Sequence, residues 1–73
     1  MRTAQETAEY LNGKLEGCLK EENNFNRFIN LSQLAQNTSS DLDIPNHLKA
    51  IWIKKIESIQ MGLCDGLIRE IEL

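Results

Sequence analysis

The chain has 73 residues, a formal charge of −3, and 41% hydrophobic against 26% charged residues. That length allows one small domain, which buries only about 60–65% of its unfolded surface and is marginal as a lone monomer, so self-association or a partner chain is the expected remedy. The weak negative charge argues against a nonspecific nucleic-acid binder and is too small for a DNA mimic.

The first element is signed by Thr3-Ala4-Gln5-Glu6, a capping box that starts a helix almost at the N-terminus. Ala4, Ala8, Leu11, Leu15 and Cys18 then recur as a narrow heptad-like seam, with Leu19 beside it. Gly13 and Gly17 lie off that seam, on the side of Tyr10, and the charged Lys14 and Glu16 around them rule out a membrane-spanning reading of the pair. The nine residues from Gly13 to Glu21 resemble those from Gly62 to Glu70, but so short a match arises easily by chance. Glu21-Glu22-Asn23-Asn24 is the first interruption, because Asn is a poor interior helix residue and a good cap. A second helix of about three turns follows, carrying Phe25, Phe28, Ile29, Leu31, Leu34 and Ala35 at helical spacing. Its phenylalanines are expected to fill the gap between the longer helices. A single bent helix from Thr3 to Gln36 is the alternative.

Asn37 to Asp41 reads as a loop, rich in side chains that bond their own backbone, and Asp43 reads as the next cap, with Pro45 in the first turn. From there Leu48, Trp52, Ile56, Ile59, Leu63, Leu67 and Ile71 form one stripe, widened by Ile51, Ile53, Cys64 and Ile68 to an arc of roughly 200°, against the ~100° a surface helix needs. The steps drift from a strict heptad, which argues against a regular coiled coil. Such a helix needs neighbours on two sides. Gly62 and Gly66 each cost about 1 kcal/mol in a helix interior; with Ser58 they form a small-residue edge that would admit another backbone, or they mark a bend.

The expected fold is therefore all-α, with two to three helices (about 3–22, 24–36 and 44–72, with a loop over 37–43) in an antiparallel hairpin or small bundle dominated by a long C-terminal helix, within one domain over 1–73.

No catalytic or metal site assembles from these residues. His47 is a lone imidazole at a helix start, where the dipole opposes its protonation. The pairs Glu21/Glu22 and Asp41/Asp43 read as a solvated face and a cap, and the glycines lie in helical pattern instead of a phosphate loop. Cys18 and Cys64 lie in no ligand-spaced pair and read as half-buried reduced thiols, with a bridge between them left open. Met1 to Tyr10 is polar and the longest apolar run, Ala50 to Ile53, is far too short to span a bilayer, so a cytoplasmic protein is expected, in which the sequons at Asn30 and Asn37 carry no meaning.

The function these features favour is a non-enzymatic protein–protein interaction module, an adaptor, inhibitor or regulatory subunit, that forms a homodimer through its amphipathic helices and binds another protein without cofactor, small-molecule substrate or membrane. The candidate interface residues are Trp52 as anchor, Ile53, Met61 and Ile68 on the far edge of the arc, and Gly62 and Gly66 on the small-residue edge. Leu48, Ile56, Ile59 and Leu63 are assigned to the intrachain core. The alternative is a small DNA-binding regulator. Leu31-Ser32-Gln33-Leu34-Ala35-Gln36-Asn37 looks like the first helix of a helix-turn-helix, but Ser39-Ser40-Asp41 replaces the expected glycine turn, Pro45 falls inside the recognition segment, and the basic residues that follow it up to residue 55 are only Lys49, Lys54 and Lys55. A membrane-surface helix is disfavoured by Gly62, Asp65 and Gly66.

Overall fold

A computed structural model describes residues 1–72, with side chains described through Gly66. It contains three helices, α1 (Ala4–Leu19), α2 (Asn24–Ser40) and α3 (Asn46–Glu72), and no strand among the described residues. α1 begins at the capping box: Glu6 N–H donates to Thr3 Oγ1 and Thr3 N–H to Glu6 Oε1, each at 3.1 Å. It ends by Lys20, where the chain leaves the helix without a glycine cap. Asn23 then starts α2 by accepting at Oδ1 from Phe25 N–H (2.8 Å) and Asn26 N–H (3.2 Å). Two helices, and not one bent helix, occupy the first forty residues because that side chain satisfies donors that would otherwise be orphaned.

α2 runs through the segment Asn37 to Ser40, which local composition assigns to a loop. Thr38 explains the difference. It is buried, and its hydroxyl donates to the Leu34 carbonyl one turn back at 2.7 Å, so it packs in the core while its polar atom is satisfied within the helix. The connection is therefore residues 41–45, shorter and later than expected. Asp41 is its organising carboxylate, accepting from Asp43 N–H at 2.9 Å. Ile44 turns inward and is buried, and the Pro45 carbonyl accepts from Leu48 and Lys49 N–H, both at 3.0 Å, to open α3. Pro45, not Asp43, thus supplies the first helical carbonyl.

α2 and α3 lie antiparallel along one another and form the principal pairing, with α1 packed more lightly on one side of it. The direction follows from Gln60, which donates to the Phe28 carbonyl (3.2 Å) and to Ser32 Oγ (2.6 Å), and from Gly66, which lies level with Asn24. Seven apolar residues, Leu11, Leu15, Leu31, Leu34, Ile44, Trp52 and Ile56, form the buried core, with Ala8, Cys18, Ala35, Leu48, Ile59 and Leu63 packed around it. Each large buried side chain contributes about 1.5–3 kcal/mol relative to exposure. The N-terminal arm ties the start of α1 to the connection: Arg2 N–H donates to the Asp43 carbonyl at 2.7 Å, and its guanidinium pairs with Asp41 at 2.8 Å.

At 1.5 Å per residue, the 27 residues of α3 extend about 40 Å, against about 25 Å for the 17 residues of α2. The resulting body is elongated, 46 × 19 × 17 Å, and α3 passes beyond the start of α2.

Candidate protein-docking surface

α1 covers only one side of the α2–α3 pair. On the other side the two helices form an open groove of about 650 Å³, lined from α2 by Ile29, Ser32 and Gln36 and from α3 by Ile53, Glu57 and Gln60 among others. Helical spacing makes this a continuous face. Phe25, Ile29, Ser32 and Gln36 recur at steps of 4, 3 and 4 along one edge of α2, and Ala50, Lys54, Glu57 and Met61 recur at the same steps along the outer edge of α3. Phe25 is 57% exposed and Met61 71% exposed, and Ile29 is also exposed. Phe25 therefore does not fill the space between the helices; Phe28 is half-buried, while Phe25, three residues earlier, emerges at the outer margin of the groove.

The groove floor is held by the Gln60 amide, which bridges α3 to both the backbone and a side chain of α2. Its rim is nearly uncharged, with Glu57 the only ionised group in the lining. An apolar and amide-rich face of this kind suits another helix better than a small polar substrate.

The interface residues read from sequence are scattered by the fold. Ile53 lines the groove half-buried, and Met61 stands exposed on its outer edge. Trp52 lies in the chain's own core, 8% exposed, with the Lys55 ammonium 4.7 Å from its ring centroid. One position separates Trp52 from Ile53, and the 100° turn between them sends the indole inward and the isoleucine toward the groove. Gly62 faces open space, with nothing within 4 Å of where a Cβ would stand, as is also true of Gly13 and Gly17. Among the described residues, no backbone approaches these three glycines. Gly66 alone has a neighbour, the Asn24 side-chain amide, 3.3 Å from an added Cβ. The side chain of Ile68 lies outside the described residues. The sequence alone did not mark Ile29, Ser32 and Gln36 as groove residues; their steps of 3 and 4 along α2 were the available signal.

The segment Leu31 to Lys55 forms the antiparallel half of this pairing, whereas helix-turn-helix elements cross at about 90–120°. Lys54 and Lys55 are exposed and point about 100° apart, while Lys49 is half-buried, so the three do not share a face.

A second hollow, of about 260 Å³, lies between α1 and α2 and is lined by Tyr10, Lys14, Leu34, Asn37 and Asp41 among others. Its polar groups serve the fold. The Arg2 guanidinium stacks 4.3 Å from the Tyr10 centroid while pairing with Asp41, and the Lys14 ammonium lies 5.6 Å from the same ring. The Asp43 backbone N–H, with help from Arg2, holds the Asp41 carboxyl below the usual carboxylate range. The capping bonds from Thr3 do the same for Glu6.

Both cysteines are free and half-buried, and burial raises the Cys18 thiol above its ordinary value. His47 is exposed. Among the described residues, no group of three or more His, Cys, Asp and Glu side chains could hold a metal, and no helix is long and apolar enough to cross a membrane. No family model, curated protein or solved structure matches the chain.

Proposed function

We propose that this protein is a helical interaction module, acting as an adaptor, inhibitor or regulatory subunit, that receives an amphipathic helix on the face formed by α2 and α3. The observation that carries this reading is the unpartnered groove opposite α1, with Phe25, Ile29 and Met61 exposed around it and a single charge in its lining. Phe25 and Ile29 on α2 and Met61 on α3 place exposed apolar side chains on both helices, and such residues gathered at one face favour a docking surface over single scattered ones. Helix-in-groove recognition needs apolar anchors at helical spacing with polar groups at the rim, and Ile29 and Ile53 with the Gln33 and Gln36 amides offer that arrangement. The free half-buried thiols suit a reducing compartment, consistent with a cytoplasmic setting.

The reading is tested by capturing binding partners from a lysate of the source with the wild-type chain, Ile53→Asp and Met61→Asp. A captured protein should be lost with both variants while their circular dichroism stays that of the wild type. Capture that survives both substitutions would place the docking surface elsewhere.

A further inference from the structure

The groove is lined by one chain, but the outer edge of α3 carries a pattern that is complementary to itself. Ala50, Lys54, Glu57 and Met61 are exposed and spaced 4, 3 and 4, a sequence of steps that reads the same in both directions. Its midpoint falls between Lys54 and Glu57. If a second α3 lies antiparallel on the first about a two-fold axis at that midpoint, Lys54 of each copy opposes Glu57 of the other, and the small Ala50 opposes the long Met61. An isologous interface requires a patch that satisfies itself in this way. Neither Lys54 nor Glu57 is engaged within its own chain: the one ion pair among the described residues is Arg2 with Asp41. The amides of Gln33 and Gln36 at the groove rim are likewise compatible with a copy of themselves, since each both donates and accepts.

We infer that the occupant of the α2–α3 face is a second copy of this chain, docked face to face with its α3 antiparallel on α3, so that α2, α3 and their two counterparts form a four-helix bundle with its register set by reciprocal Lys54–Glu57 pairs. The inference rests on the docking-face reading above and names its partner. Gly62 takes no part, because it projects about 100° away from Met61, toward the side of Lys55.

Charge reversal tests it, since both side chains are exposed and removing them leaves the core intact. By sedimentation equilibrium at low salt, Lys54→Glu and Glu57→Lys should each weaken the dimer about tenfold or more, because each places two like-charged pairs across the axis. An equimolar mixture of the two variants should recover wild-type association, since a mixed dimer restores both opposite-charge contacts. The double variant should recover it as well. High salt should narrow all these differences. A wild-type chain that stays monomeric to about 1 mM, single variants that associate like the wild type, or a mixture of folded variants that fails to recover would each overturn the inference. If the wild type is monomeric yet still captures a protein in a manner lost with Ile53→Asp, the docking-face reading stands and only the second copy as its occupant falls.

Discussion

Replacing Gly62 with alanine asks whether the glycines of α3 exist to let another backbone approach. In the structure the added Cβ would meet nothing within 4 Å, and the residue sits in the interior of a 27-residue helix. The substitution then changes only backbone entropy and helix propensity, which favours alanine by about 0.8–1 kcal/mol. For a chain of this size that is an increase in Tm of about 4–8 °C. Gly66→Ala has the same intrinsic gain, but its Cβ would stand 3.3 Å from the Asn24 side-chain nitrogen, so that amide must shift by a few tenths of an ångström and the gain should be smaller. The assay is urea and thermal unfolding followed by circular dichroism at one fixed concentration, with the dimer constant measured in parallel. Gly62→Ala should be the more stable of the two and should leave self-association unchanged. A Gly62→Ala chain less stable than the wild type, or one with weakened association, would mean that a backbone does pack against this glycine.

Core truncations should behave differently from groove substitutions. Trp52→Ala should cost about 3–5 kcal/mol, a large share of the stability of so small a domain, and should lower helix content, whereas Ile53→Asp should keep it. Gln60→Ala should cost about 0.5–1.5 kcal/mol in urea unfolding, because it removes the bond to the Phe28 carbonyl and the Ser32 hydroxyl together. The carboxyls of Asp41 and Glu6 are held below their ordinary values, so their stabilisation is present in full only above about pH 5 and is lost as pH falls through the ordinary and then the lowered folded-state values. The urea midpoint of Asp41→Asn should accordingly fall less than that of the wild type between roughly pH 5 and pH 2; equal falls would remove Asp41 from the acid response. Cys18, raised by burial, should react with iodoacetamide more slowly than a free peptide thiol at about pH 8; a rate equal to the peptide's would show that the α1 seam opens readily.

What the sequence made legible was mostly what local chemistry controls. Thr3 and Glu6 form the capping box that their spacing implies, and Leu11 and Leu15 of the heptad seam are buried. Ile56 with the partly buried Leu48, Ile59 and Leu63 is the intrachain side of α3, as its stripe indicates. The C-terminal limit of α2 was not legible, because Thr38 has the composition of a loop residue and becomes helical only when the core takes its methyl group and Leu34 takes its hydroxyl. Buried Thr7 was missed for the same reason; its hydroxyl donates to the Thr3 carbonyl at 2.8 Å. The over-wide arc of α3 was visible, but which part of it the chain itself would cover was not. Periodicity places Trp52 and Ile53 on one broad face, and only the position of α2 decides that the indole goes inward and the isoleucine to the groove. Phe25 shows the converse: an aromatic at core spacing with Phe28 stays exposed because α1 packs on the opposite side of α2.

Docking of a second copy on the α2–α3 face opposite α1 is read out residue by residue in a dilution series of two-dimensional ¹H–¹⁵N NMR spectra of the wild-type chain. A docked second copy gives concentration-dependent shifts at Ile29, Gln36, Ile53, Glu57 and Met61, with Glu9 and Glu16 on α1 unmoved. Shifts concentrated on α1, or spectra that do not change with concentration, would contradict it.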